Sequence, residues 1–504
     1  MTARSELARD VEAMVDRRRN AYVAFLTGLF RFETVSGATD PDRREAFREE
    51  ICRSFDYLEI ESERLGLDFR RYTDLAAVAE WPCHDSDLPP LGLATHIDVV
   101  PSGKRWQLPP FGGTVAEKSA WGRGAQDDKG AAAAVFSSVD VLKQLQVQNR
   151  RPVRLLFGTR EETEDWPDID RLIAAGEVPP ETIVPDGVFP VVNAEKGRIS
   201  MRWDARWPEP APGPDGLRLL SLTAGKRANM VPARALLQIA VARGSEQDVR
   251  HHLADATRSL EKTSPSIKLQ VRTREGGASG MIHEVALLGK AAHGALPDEG
   301  RNGALAALEF WTLAQAQDTP LVRFVRLLLD SCREVDGSGL DLVSYRHPFG
   351  GTTVNLGVVD IGPSGGSATI DVRFPQGLTG SDVASRFAAV ARAACGDDAD
   401  WTIETHVDGR IQEPLHVDPE EHPEFISGLQ QAYQIITGRT PDLRAIAGTT
   451  YAKAFPMAVA FGPVDEQGGE VELAHEADER VTLERHLENI RIYAMALAIL
   501  ACGR

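Results

Sequence analysis

The chain has little cysteine and no long apolar run, and its charge is short on the basic side. Five cysteines (Cys52, Cys83, Cys332, Cys395, Cys502) are scattered over 504 residues, odd in number and never in CxxC spacing. That excludes a disulfide framework and a thiolate metal site, and points to reduced thiols in a cytoplasmic setting. No stretch of about twenty apolar residues occurs, so no membrane span is expected. The first twenty residues are charged throughout and do not resemble a secretory signal. Lysine and arginine number 56 against 74 acidic residues, a formal net charge of −18. A nucleic-acid partner needs a basic surface and is therefore not expected.

What remains is an ordinary globular composition, 42% hydrophobic and 26% charged. The length exceeds one typical domain, so at least two are expected. Helical periodicity over 5–32 and 42–66 precedes an apolar run at 91–100, an Ala-rich helix from about 130 and a strand at 153–159. This alternation predicts an α/β domain with a central mixed, partly parallel sheet. Near residue 200 the character changes. A Pro- and Gly-rich stretch at 206–216 reads as a loop. Strand and helix patterns after it suggest an inserted α+β domain, with two related halves as one option. The expected division is 1–199 and 411–504 for the first domain and 200–410 for the insertion.

The polar clusters fall where such sheets collect ligands, beyond strand ends. "LGLATHIDVVPSG" ends an apolar run in His96 and Asp98, two positions that would share one strand face. "WGRGAQDDKG" sets Asp127 and Asp128 before a helix, where a capping Asp is ordinary but two are not. Glu161 and Glu162 follow a strand in "LLFGTREET"; Asp186 follows another in "IVPDG", and His475 lies in "VELAHEADE". Each cluster alone has a plain structural reading. Together, two imidazoles and three carboxylates (His96, Asp127, Glu162, Asp186, His475) are the set that two zinc ions about 3.5–4 Å apart require. The spare Glu161 could then take a proton from water, and Asp98 could orient His96.

The motifs "THIDVVPSG", "WGRGAQDDKG", "GTREET", "PDGVFPVVNAEKG", "GKAAHGALPDEGRN", "DVRFPQG" and "GTTYAKAF" occur in an order that resembles the di-zinc family of aminoacylases, carnosinases and carboxypeptidase G. Within it the chain looks most like the PepV-type dipeptidases. The resemblance implies a zinc-peptidase-like catalytic domain with an inserted lid, and a dipeptidase acting on small peptides. It makes Asp127 the bridging ligand, His96 and Asp186 the ligands of one zinc, and Glu162 and His475 those of the other. Manganese or cobalt could replace zinc. Glu161 becomes general base, and a cis Asp127–Asp128 peptide bond is implied. In the lid, His293 would stabilise the oxyanion, and Asn229 and Arg373 would grip the substrate carboxylate, which Gly448, Thr449 and Thr450 would also meet. Deacylation of N-acyl amino acids by the same metals is the alternative reaction. A non-catalytic peptide-binding descendant is the alternative of another class, against which all six metal and base positions are intact. The chain departs from the family pattern at Thr95, at Val188 and at Arg160, which would put a cation near the catalytic carboxylates. The remaining histidines, among them His84, His283 and His486, match no motif and are read as surface or core. A two-halved lid suggests a monomer, with a homodimer as the alternative.

Overall fold

A computed structural model describes residues 3–37, 40–83, 87–163, 165–208, 217–242, 246–276, 280–314, 318–396, 398 and 400–504. His84 and most of the expected 206–216 loop lie outside these residues. The chain divides into two units, residues 1–194 with 415–504 and residues 195–414. The breaks fall about four residues outside those expected from sequence. The reason is local: strands that belong to the second unit's sheet run from Gly197 and on to Gln412.

In the first unit, α1 (Ala3–Leu29) and α2 (Pro41–Leu65) precede β1 (Asp68–Tyr72), β2 (Ala76–Trp81) and β3 (Leu91–His96). A hairpin, β4 (Thr114–Ala116) and β5 (Ser119–Trp121), leads to α3 (Lys129–Gln144), β6 (Val153–Gly158), α4 (Pro167–Ala174), β7 (Glu181–Val184) and β8 (Val191–Glu195). The second unit holds β9 (Gly197–Arg206), β10 (Leu217–Ala224), β11 (Arg234–Val241), α5 (Glu246–Thr263), β12 (Lys268–Glu275) and β13 (Met281–Leu288). It continues with α6 (Gly303–Ala314), α7 (Pro320–Cys332), β14 (Tyr345–Arg346), β15 (Gly350–Gly351), β16 (Thr353–Gly362), β17 (Gly365–Phe374), α8 (Gly380–Cys395) and β18 (Thr402–Gln412). The chain returns to the first unit with β19 (Leu415–His416), α9 (Pro423–Thr437), β20 (Leu443–Ile446), β21 (Ala458–Ala460), β22 (Arg480–Thr482) and α10 (Leu483–Leu500).

The first unit is an α/β fold around a mixed sheet of order β1-β2-β6-β3-β7-β21-β8-β19, with β20 beside β8. Its centre, β6-β3-β7-β21, is parallel; its flanks β1-β2-β6 and β21-β8 are antiparallel. The central strands are buried on both faces, as parallel strands must be when covered on both sides. One face carries α1, α3, α9 and α10 in a single apolar core. Small side chains let α3 lie close: Ala131 to Ala134 are all fully buried. Helix α2 shows its limits in the sequence. Asp40 caps its N-terminus by accepting from the N–H groups of Asp42 and Arg43, and Gly66 closes it at φ 65°. Among the described residues, no helix is long and apolar enough to cross a membrane.

The second unit is one antiparallel sheet, β12-β13-β11-β10-β16-β17-β9-β18, packed against helices that include α6, α7 and α8. The two halves have the same wiring. Strands β10 and β11, helix α5, then β12 and β13 give the order β12-β13-β11-β10. Strands β16 and β17, helix α8, then β18 give the mirror-placed order β16-β17-β9-β18, with β9 filling the position that β13 holds. The second half is thus a circularly permuted copy of the first topology, its last strand supplied from before the first half. The halves meet through antiparallel pairing of Leu222 to Ala224 with Ile361 to Val359.

Candidate metal centre

The polar residues gather at the carboxyl ends of the parallel strands. Strands β3 and β6 pair in register through His96 and Gly158 and end together. Asp98 therefore lies past the strand, and does not share a strand face with His96 as the sequence pattern predicted. What brings the two together is the turn: His96 Nδ1 lies 3.0 Å from the Asp98 backbone oxygen and 3.3 Å from its carboxylate. The same carboxylate accepts the backbone N–H groups of Glu161 and Glu162, each at 3.2 Å, where the chain leaves β6. Asp98, itself fully buried, thus fixes the histidine and the Glu pair at once.

Asp127 is the centre of the arrangement. One of its carboxylate oxygens lies 2.9 Å from His96 Nε2 and the other 3.0 Å from His475 Nε2. His475 Nε2 is also 3.0 Å from Glu162, and His96 Nε2 is 3.9 Å from Asp186. Two sets of ligand atoms form, each within 4.8 Å: His96 with Glu161 and Asp186, and Asp127 with Glu162 and His475. The Asp127–Asp128 peptide bond is cis, as the resemblance implied. Glu161 thus stands level with the proposed ligands.

Electrostatics favour a cation here. His96 is fully buried, and its Nε2 faces the Asp127 carboxylate at 2.9 Å. With Nδ1 directed at the Asp98 oxygen, Nε2 is the ring atom turned toward the carboxylates, where a metal would take the place of its proton. Burial opposes a charge on this imidazole, but the Asp127 and Asp98 carboxylates outweigh it and hold its pKa well above the usual value. Partial desolvation likewise opposes protonation of His475, yet Asp127 and Glu162 raise it to about 11. Burial, then the neighbouring Asp186 and Glu162 carboxylates, push Glu161 well above the ordinary carboxyl range. Carboxylates crowded in this way need positive charge, and imidazole with carboxylate is a donor set for zinc or a similar divalent ion. The donor set fits two such ions.

Sequence reasoning missed the supports. Asp128 sits at the N-cap of α3 without capping it; its carboxylate accepts the His96 backbone N–H at 3.1 Å. Fully buried Asp168 accepts from the Thr159 and Arg160 N–H groups and from the Tyr451 hydroxyl. The Tyr451 ring stands edge-on to the His96 imidazole. The sequence signal for Asp168 was slight, one acid in a helix start. The Arg160 guanidinium bonds Thr159, reaches Asp74 between β1 and β2 at 3.5 Å and lies 4.4 Å over the Phe47 ring of α2.

The remaining candidates are placed as follows. Thr450 is buried directly before Tyr451, and the Thr449 hydroxyl accepts from Lys453; Gly448 opens this loop after β20. In the second unit, Asn229 and His293 are brought side by side: Gly294 N–H donates to the Asn229 oxygen, and Met230 bridges His293. Arg373 is buried on β17, its Nε donating to Asp371 at 2.8 Å, opposite Arg198 on β9. Of the histidines outside the motifs, His486 is buried in α10 and His283 is buried beside Thr273.

The profile of peptidase family M20/M25/M40 matches residues 92–498. The chain belongs to this peptidase family. Among curated members, "Putative dipeptidase YtjP" of Bacillus subtilis (strain 168) is 27% identical over 97% of this chain and 99% of its own length. "Putative dipeptidase SSP1012" of Staphylococcus saprophyticus is 29% identical over 81% of this chain and 82% of its own length. Among solved structures, human carnosine dipeptidase 1 aligns over 97% of this chain and 98% of its own, with TM-score 0.58 at 11% identity. The di-peptidase Dug1p of Saccharomyces cerevisiae aligns over the same shares with TM-score 0.55 at 13% identity. These likenesses establish the M20 fold, an α/β architecture with a mixed, partly parallel sheet.

Proposed function

We propose that this M20 peptidase hydrolyses the peptide bond of dipeptides at a pair of divalent cations, zinc first, with manganese or cobalt as substitutes. The observation that carries the reading is Asp127, whose two carboxylate oxygens face the Nε2 atoms of two different histidines at 2.9 and 3.0 Å. One ion would be held by His96, Asp186 and Asp127, the other by Asp127, Glu162 and His475. When bound, such ions supply Lewis acidity that polarises a carbonyl and eases deprotonation of water.

The chain's own groups do the rest. Glu161 takes the proton of the attacking water and returns it to the departing amine, a role suited to a buried carboxyl whose pKa is raised. Asp98 holds the His96 tautomer and the Glu161–Glu162 turn together. His293 donates to the carbonyl oxygen as negative charge develops. Asn229 and Arg373, with the Gly448-Thr449-Thr450 loop, recognise the terminal carboxylate, which the planar guanidinium can bind through two parallel bonds. The doubled topology of the second unit supports a monomer, and a cytoplasmic site of action accords with the unpaired cysteines.

The test is a library of dipeptides run against N-acetyl and N-succinyl amino acids on the zinc-reconstituted protein. Turnover of dipeptides is the expected result. Turnover confined to the acylated amino acids would replace the reading with deacylation, and none at all with two ions bound would leave a peptide-binding role.

A further inference from the structure

Arg123 and Glu479 form a buried ion pair, 2.5 Å apart, 2% and 0% exposed. Glu479 accepts the backbone N–H groups of Gly124 at 3.2 Å, Gln126 at 2.9 Å and Asp127 at 3.3 Å. Arg123 donates to the backbone oxygens of His475 at 3.2 Å and Glu476 at 3.1 Å, and its guanidinium lies over the Trp106 ring. Each partner thus grips the loop that the other sits on. Gln126 repeats the tie: its side-chain oxygen accepts the Leu473 N–H at 2.6 Å and its amide reaches the Val471 oxygen.

We propose that the Arg123–Glu479 pair is the positioning device for the loop-borne ligands, setting Asp127 and His475 at the separation that the second cation requires. This rests on the two-cation reading above. The two loops are about 350 residues apart in sequence, and His475 has φ 66°, a left-handed conformation that costs a β-carbon residue energy unless its surroundings hold it. Arg123 holds the His475 carbonyl at that point. The other ligands are held by other groups. Asp128 takes the His96 N–H, Asp98 takes those of Glu161 and Glu162, and the Val184 oxygen takes that of Asp186. The second cation depends on the pair through both Asp127 and His475, the first through the shared Asp127 alone, so loss of the pair should weaken the second more than the first.

The experiment titrates the metal-free full chain with zinc by equilibrium dialysis, with melting curves alongside, for the wild type, Arg123→Lys and Glu479→Gln. Lysine keeps the charge but lacks the fork that reaches both carbonyls. Arg70→Lys, in the ion pair with Glu177 elsewhere in the same unit, is the control for stability alone. The wild type is expected to bind two ions. In both variants the second should bind about 10–100-fold more weakly, the usual effect of removing a group that orients a ligand, and the first should weaken by a clearly smaller factor through the shared Asp127. Arg70→Lys should lower the melting temperature with both affinities unchanged. Should a single variant not fold, the double variant Arg123→Gln with Glu479→Gln carries the same test without a lone buried charge. Two affinities that match wild type, or that fall by the same factor, overturn the proposal. A wild type that binds fewer than two ions overturns the two-cation reading and this proposal with it.

Discussion

His96 and His486 are both buried to within 1% of their surface, yet they stand in opposite chemical states. His486, in the helical layer on α10, is subject to desolvation alone, which pulls its pKa down to about 3. His96, at the end of β3, meets the same desolvation, but Asp127 and Asp98 hold its pKa well above normal. Burial by itself makes an imidazole neutral and inert; only the carboxylates at the sheet's end make it a seat for positive charge, whether proton or metal. His475 shows the other extreme. It is 46% exposed, on a loop, and owes its state to Asp127 and Glu162.

The contrast can be broken in four ways. Glu161→Gln should do most: turnover should fall about 10³-fold with both metals retained, and activity near wild type would remove the residue from its role. Arg373 is a buried cation paired with Asp371, the second unit's counterpart of a charge held by its neighbour. Arg373→Ala should raise KM about 10–100-fold, from the loss of a charge-assisted bond worth about 1.5–3 kcal/mol, and change kcat less. A pure kcat effect would count against carboxylate recognition.

Stability of the metal-free chain separates the two histidines of the centre. His96→Ala should cost about 2 kcal/mol or more, and His475→Ala, half exposed, less than about 1 kcal/mol, read from urea unfolding. Equal losses would mean that both ligands are equally embedded. The smallest effect is one of slope. A histidine near pKa 3 when folded and about 6.5 when unfolded binds its proton only in the unfolded chain between those values. Its contribution is therefore complete above pH 6.5 and is lost as pH falls toward 3. His486→Leu should flatten the fall in urea midpoint across that window, and an unchanged slope would show that His486 does not carry it.

Much of this was legible in the sequence because the ligands are local to strand ends. His96, Glu162 and Asp186 each follow an apolar run that forms a central strand, and period and punctuation mark such runs. Asp127 announced itself by a doubled acid that helix capping does not need. The supports were illegible for a physical reason: each acts across the chain. Nothing near Glu479 says that it accepts the N–H groups of Gly124, Gln126 and Asp127, or near Asp128 that it takes the His96 N–H. The partners of Arg160 were equally hidden, since Phe47 lies on α2 and Asp74 between β1 and β2. The doubling of the second unit could be suspected from its strand and helix groups, but the permutation could not, since β9 precedes the half it completes.

The fused sheet of the second unit has one further consequence. Joining two four-stranded halves through β10 and β16 hides two borders that would otherwise be open to other chains, and among the described residues leaves β12 and β18 as the margins of the sheet. Both are studded with outward charge: Lys268, Arg272, Arg274 and Glu275 on one, Glu404, Asp408 and Arg410 on the other. A strand arriving from a second molecule would have to bury those ions to zip on, which sets a cost on extending the ribbon at either margin.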